Sequence, residues 1–116
     1  MRIALDFDKT YNIAPEFWDT FINMSQESGH EVILATYRHK EYDWDPLLDD
    51  LDIPMYFTDG KAKKPFLEEL GIVVDIWIDD NPYSITDDSA WLPNSPELHA
   101  WRVENQKRID EEQMRR

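Results

Sequence analysis

Four short apolar runs, "RIALDF", "HEVILATY", "IPMYFT" and "IVVDIWIDD", punctuate the 116-residue chain. Each is too short for a buried helix and too continuously apolar for a strand with one face in water. Each therefore reads as a strand covered on both faces. The segments between them have helical period. Pro15 suits a first helical position, and Phe17, Trp18, Phe21, Ile22 and Met24 recur at helical spacing until Gly29 stops the helix. The aromatic residues of that helix are expected in the core. Asp45-Pro46 opens a short helix through Leu47, Leu48 and Leu51, and "DGKAKKPFLEELG" is a turn into a helix ending at Gly71. Residues 96–116 read as a charged C-terminal helix, with Trp101 its anchor. Strands alternating with helices require right-handed crossovers and a mostly parallel sheet. The expectation is one α/β domain over residues 1–116: a Rossmann-like three-layer α/β/α sandwich of about four to five strands, without a cap domain.

In such a sheet, ligands bind outside the carboxyl ends of the strands. The residues found there are not packing residues. Asp6 and Asp8 end the first run, Thr36 the second, and Asp79 and Asp80 the fourth, while Lys61 lies just past the third. Crowded carboxylates repel, and desolvating them costs more. A divalent cation would make the crowding tolerable, and two strands' worth of carboxylate oxygens suit Mg²⁺. An ionised Asp facing a metal-bound phosphoryl group is a nucleophile that can form an aspartyl-phosphate, and a second carboxylate nearby can move the proton. Lys61 and Thr36 are the donors placed to hold phosphoryl charge. Lys9 alternates away from the acidic pair and is expected to be incidental.

These elements resemble the haloacid dehalogenase-like (HAD) phosphohydrolases. "LDFDKTY" is similar to that family's first motif, Asp-x-Asp-x-Thr after an apolar strand, and "VILAT" to its second. "GKAKKP" resembles the third motif, a Lys near a helix start, and "DIWIDD" the fourth, a strand ending in an acidic pair. The four occur in family order between Arg2 and about Asn81. The resemblance implies Asp6 as nucleophile, Asp8 as general acid/base, Thr10 steadying the loop, Thr36 on the phosphate and Lys61 offsetting charge. It further implies Mg²⁺ held by Asp6, the backbone carbonyl of Asp8, and Asp79, with Asp80 supporting the metal shell. Lys61, Lys63 and Lys64 all fall within the third motif; Gly60 favours Lys61, with Lys64 second. With little chain available for an inserted cap, Tyr11, Asn12, Tyr37, Arg38 and His39 lie where substrate would be selected. Arg38 is the best placed for a second anionic group.

Composition narrows the partners. A formal net charge of −13 argues against a general nucleic-acid binder, leaving a phosphorylated small molecule, a nucleotide or, less favoured, a nucleic-acid end. The absence of cysteine excludes disulfide scaffolds and thiolate zinc sites. No run reaches the roughly eighteen apolar residues of a membrane helix, and no signal-peptide pattern opens the chain, so a cytoplasmic protein is expected. The acidic stretch "DWDPLLDD" reads as a solvated face. Two other classes remain open at this stage: a phospho-acceptor receiver domain, and a catalytically silent binding module.

Overall fold

The computed structural model describes residues 1–88 together with Glu104 and Arg108. The expected C-terminal helix, with Trp101, lies outside the described residues, except that Glu104 and Arg108 are helical. Four strands, β1 (Arg2–Leu5), β2 (Glu31–Thr36), β3 (Met55–Phe57) and β4 (Ile76–Ile78), form one parallel sheet in the order β3-β2-β1-β4. Helix α1 (Pro15–Glu27) links β1 to β2, α2 (Lys63–Glu69) links β3 to β4, and a short α3 (Tyr83–Thr86) follows β4. Single 3₁₀ turns occupy Tyr11–Ile13 and Pro46–Leu48. This is an α/β fold. Among the described residues, no helix is long and apolar enough to cross a membrane.

Alternation along the central strands sends side chains to two faces, and each face is covered. Ile3, Leu5, Val32 and Leu34 pack with Ile22, Trp18 and Phe21 of α1. Ala4, Ile33 and Ala35 pack with Leu67 and Phe66 of α2. This two-sided burial is why β1 and β2 read as continuous apolar runs. Helix α1 starts at Pro15, whose missing N–H costs nothing in the first turn, and ends before Gly29, which adopts φ 85°.

Two expectations about packing need correction. Phe17 is not a core residue but is exposed, as is Met24. The inward arc of α1 runs through Trp18, Ile22 and Ser25, and residues seven apart at 17 and 24 share a neighbouring arc. The run from Ile72 is not strand from its start. Ile72 and Val74 pack against the α2 side of the sheet, and β4 begins only at Ile76.

The strand order fixes where a ligand can sit. From β1 the chain steps outward through β2 to β3, then returns to place β4 on the other side of β1. The order reverses at β1, so a crevice opens beyond the carboxyl ends of β1 and β4. Asp6 continues the β1 pairing by donating its N–H to Ile78 O at 2.9 Å, and Asp79 directly follows β4.

Candidate active site

Beyond those strand ends lies a cleft of about 420 Å³. Its walls include Asp6, Asp8, Asp79, Asp80, Lys9, Arg38, Lys63 and Arg108, with Asn12, Tyr37 and Ser84 between them. Carboxylate oxygens of Asp6, Asp79 and Asp80 lie within 4.8 Å of one another, a group that can hold a metal ion. Asp8 lines the same cleft outside that group, its carboxylate held by Arg38.

Lys63 joins the acids. Its Nζ donates to Asp6 Oδ1 at 2.8 Å and Asp79 Oδ2 at 2.6 Å, while the side chain is 2% exposed and lies over the Tyr37 ring. Asp79 is fixed further by Ser84 Oγ on Oδ2 (2.8 Å) and by the Asn81 N–H on Oδ1 (2.9 Å). Thr10 Oγ1 donates to Asp6 Oδ2 at 3.5 Å. One cation thus bonds two of three clustered carboxylates, leaving the group formally two charges negative when all are ionised. Burial pushes the Asp6 carboxyl up to about 8; Lys63 opposes this, and Asp80 and Asp79 reinforce it. Without a metal, Asp6 therefore holds a proton near neutrality despite touching an ammonium group. A divalent cation would replace that proton, and an all-carboxylate oxygen set suits a hard ion.

Arg38 organises the other wall. It is 1% exposed, and its guanidinium lies over the Phe7 ring. Nη2 donates to Asp8 Oδ1 at 2.7 Å, Nε donates to both Asp8 oxygens, and Nη1 donates to Asp43 O at 2.9 Å. Asp45 lies 3.9 Å from Nη1 and also accepts from Arg108 at 2.9 Å. Planar, two-point pairing of this kind fixes both the distance and the plane of a carboxylate.

Several sequence assignments change place as a result. Lys61 is exposed and does not line the cleft; Lys63 is the lysine that reaches Asp6, and Lys64 faces Glu68 outside. The turn uses up more chain than Gly60 alone implied. Asp59 and Gly60 both take left-handed φ, 51° and 79°, so the first inward helical position falls at residue 63. Arg38 is not available for a second anionic group, because the Asp8 carboxylate and the Asp43 carbonyl occupy its donors. Thr36 is fully buried, its hydroxyl accepts the Arg38 N–H at 3.2 Å, and it does not line the cleft. Tyr11 is a core residue, stacked on Phe7 with its hydroxyl on Asp19. Asn12 and Tyr37 do line the cleft. His39 stacks on Tyr42 and accepts the Glu41 N–H. The "DWDPLLDD" stretch is only partly a solvated face, since Asp43 and Asp45 are buried beside Arg38. Lys9 faces the cleft, contrary to the alternation argument, because the strand has ended at Leu5 before that residue is reached.

Sequence reasoning passed over Lys63 in favour of Lys61 and Lys64, and missed Lys9, Ser84 and the Asp43–Asp45 pair. A signal for the first was present: Lys63 precedes the buried Leu67 by four residues, so both share the inward face of α2. Comparison of the chain with family models, with curated proteins and with solved structures returned no match.

Proposed function

We propose that the protein is a Mg²⁺-dependent phosphomonoester hydrolase acting through an aspartyl-phosphate on Asp6, in a capless α/β/α domain of the HAD type. The observation that carries this reading is Asp6 itself. It is a buried carboxylate at the strand-order reversal, gripped by Lys63 and crowded by Asp79 and Asp80.

Asp6, Asp79 and Asp80 would hold Mg²⁺. Bound there, the ion would offset carboxylate and phosphoryl charge, keeping Asp6 ionised near neutral pH. The chain's own groups do the rest. A carboxylate oxygen of Asp6 attacks phosphorus, and the ester oxygen leaves with a proton supplied from Asp8. Asp8 then takes a proton from water as that water attacks the same phosphorus, releasing phosphate and restoring Asp6. Asp8 Oδ1 accepts two hydrogen bonds from Arg38 and Oδ2 only one, so Oδ2 is the oxygen better able to carry the moving proton. General acid–base assistance of this kind contributes roughly 10²–10⁴ in rate. Lys63 stays beside Asp6 throughout and opposes charge build-up on the attacked phosphoryl group.

The order β3-β2-β1-β4 counts against a receiver domain, whose strands run 2-1-3-4-5 with the phosphorylated Asp on the third strand. Here the residue after the third strand is the buried Thr58, and Asp59 is exposed in a turn. The deciding experiment is phosphate release from aryl phosphates and nucleotides, with Mg²⁺ or with EDTA, for wild type and Asp6→Asn. Metal-dependent release that disappears in the variant is expected. Equal, metal-independent release from both would refute the reading.

A further inference from the structure

An anionic substrate approaching a chain of net charge −13 needs local cations, and this cleft concentrates them: four of the twelve Lys and Arg residues line it. Three are committed to carboxylates. Lys63 serves Asp6 and Asp79, Arg38 serves Asp8, and Arg108 serves Asp45. Lys9 is different. Its ammonium has no hydrogen bond or ion pair among the described residues, and it is exposed at the cleft wall.

The backbone at Lys9 makes this placement costly. Lys9 takes φ 59°, a left-handed conformation that glycine enters freely and a lysine does not. The loop holds it there. The Lys9 N–H donates to Asn12 Oδ1 at 2.7 Å, while the N–H groups of Thr10 and Asn12 return to Phe7 O. A residue that accepts strain where glycine would not, and that brings a cation without a partner among the described residues to a cleft lined by four carboxylates, calls for a role in its side chain.

We propose that Lys9 is a specificity residue: it binds a second anionic group on the substrate, so that phosphomonoesters carrying another phosphate are preferred over those with one. This rests on the phosphatase reading above and supplies the anion contact that Arg38 cannot. A small bisphosphorylated molecule and the terminal phosphate of a nucleic acid, with its neighbouring diester, both present that chemistry. A charge-assisted contact of this kind is worth about tenfold in affinity and weakens with salt.

The test compares adenosine 3′-monophosphate, adenosine 3′,5′-bisphosphate and a 3′-phosphorylated dinucleotide with wild type, Lys9→Met, Lys9→Gly and Lys9→Arg. The expected kcat/KM ratio of bisphosphate to monophosphate is about tenfold in wild type and Lys9→Arg, and near one in Lys9→Met and Lys9→Gly. A dinucleotide matching the bisphosphate identifies nucleic-acid ends as a source of the second phosphate; one matching the monophosphate confines the preference to small molecules. A wild-type ratio near one, or a ratio unchanged in Lys9→Met, overturns the proposal. Lys9→Gly should also melt a few degrees higher, because it relieves the left-handed strain; a lower melting temperature would make the side chain structural and overturn the proposal. Should wild type hydrolyse nothing, the catalytic reading fails by itself. Lys9 is then judged by calorimetric binding of the two nucleotides to the wild-type protein in Mg²⁺. An affinity gap of about tenfold that Lys9→Met removes supports the proposal, and equal affinities or no binding refute it.

Discussion

Replacing Lys63 by Met keeps an unbranched stem of similar length and deletes the ammonium group that two acids share. In the folded protein, Nζ is 2.8 Å from Asp6 and 2.6 Å from Asp79, with the side chain 2% exposed. At an effective dielectric near 20, each contact is a gross attraction of about 6 kcal/mol, most of it offset by desolvating the charges. Removing one partner of a buried pair leaves a net loss of about 3–5 kcal/mol, because the remaining charge stays buried. For a domain of this size, that corresponds to a fall in melting temperature of about 12–20 °C. The loss depends on pH in a definite direction. Lys63 lowers the Asp6 carboxyl from the position burial would otherwise impose, and with Lys63 in place that carboxyl still sits at about 8. Above pH 8 the ionised acid needs its cation most. Below that, a protonated Asp6 needs it less, and the penalty shrinks. The assay is thermal unfolding in EDTA at pH 8.5 and 5.5, with the exposed Lys61→Met as control. The expected result is a large deficit at both pH values, greater at pH 8.5 than at pH 5.5 by up to about 1 kcal/mol (about 4 °C), and a control within about 2 °C of wild type. A Lys63→Met protein within a few degrees of wild type at both pH values, or a control that loses as much, would refute the assignment.

Metal-free wild type should lose stability as pH rises from about 4 to about 8, because folded Asp6 keeps a proton that the unfolded chain has released. Asp6→Asn should remove that slope in pH-dependent denaturant melts, and Mg²⁺ should stabilise wild type more at pH 8.5 than at pH 6; an unchanged slope in the variant would break the link. Arg38→Met should cost about 2 kcal/mol by urea unfolding, less than Lys63→Met, since its partner Asp8 is 41% exposed and can be rehydrated. A larger loss than for Lys63→Met would reverse that ranking. Among the described residues, Thr58 Oγ1 is buried without a hydrogen-bond partner, so Thr58→Val should raise stability by about 1 kcal/mol; a loss in the same assay would show that the hydroxyl has a partner.

The strand and helix order was readable because each signal is local. Continuous apolar runs with β-branched residues have only one accommodation in a short segment, a strand covered on both sides, and that describes "IAL" and "VILA". The placement of acids at strand ends follows from the same reading, since Asp6 and Asp79 come directly after the last apolar residues of β1 and β4 or their pairing. Period alone could not rank the face of α1, and Phe17 was assigned to the core although it is exposed. The loop after β1 was misread for a related reason: alternation holds only while the chain is extended, and Lys9 lies beyond that point at φ 59°.

By itself, the sequence determined an α/β chain with carboxylates delivered to the ends of two strands. The tertiary structure decided which cation each of them meets. Lys63 and Asp6 are 57 positions apart, and Arg38 and Asp8 are 30 apart. Over such separations no periodicity applies, and two left-handed residues in one turn, at Asp59 and Gly60, move the inward lysine from 61 to 63. Buried charge then enforces the outcome. A desolvated ammonium or guanidinium is stable only where acceptors converge on it, and that convergence belongs to the sheet's strand order, not to any single segment.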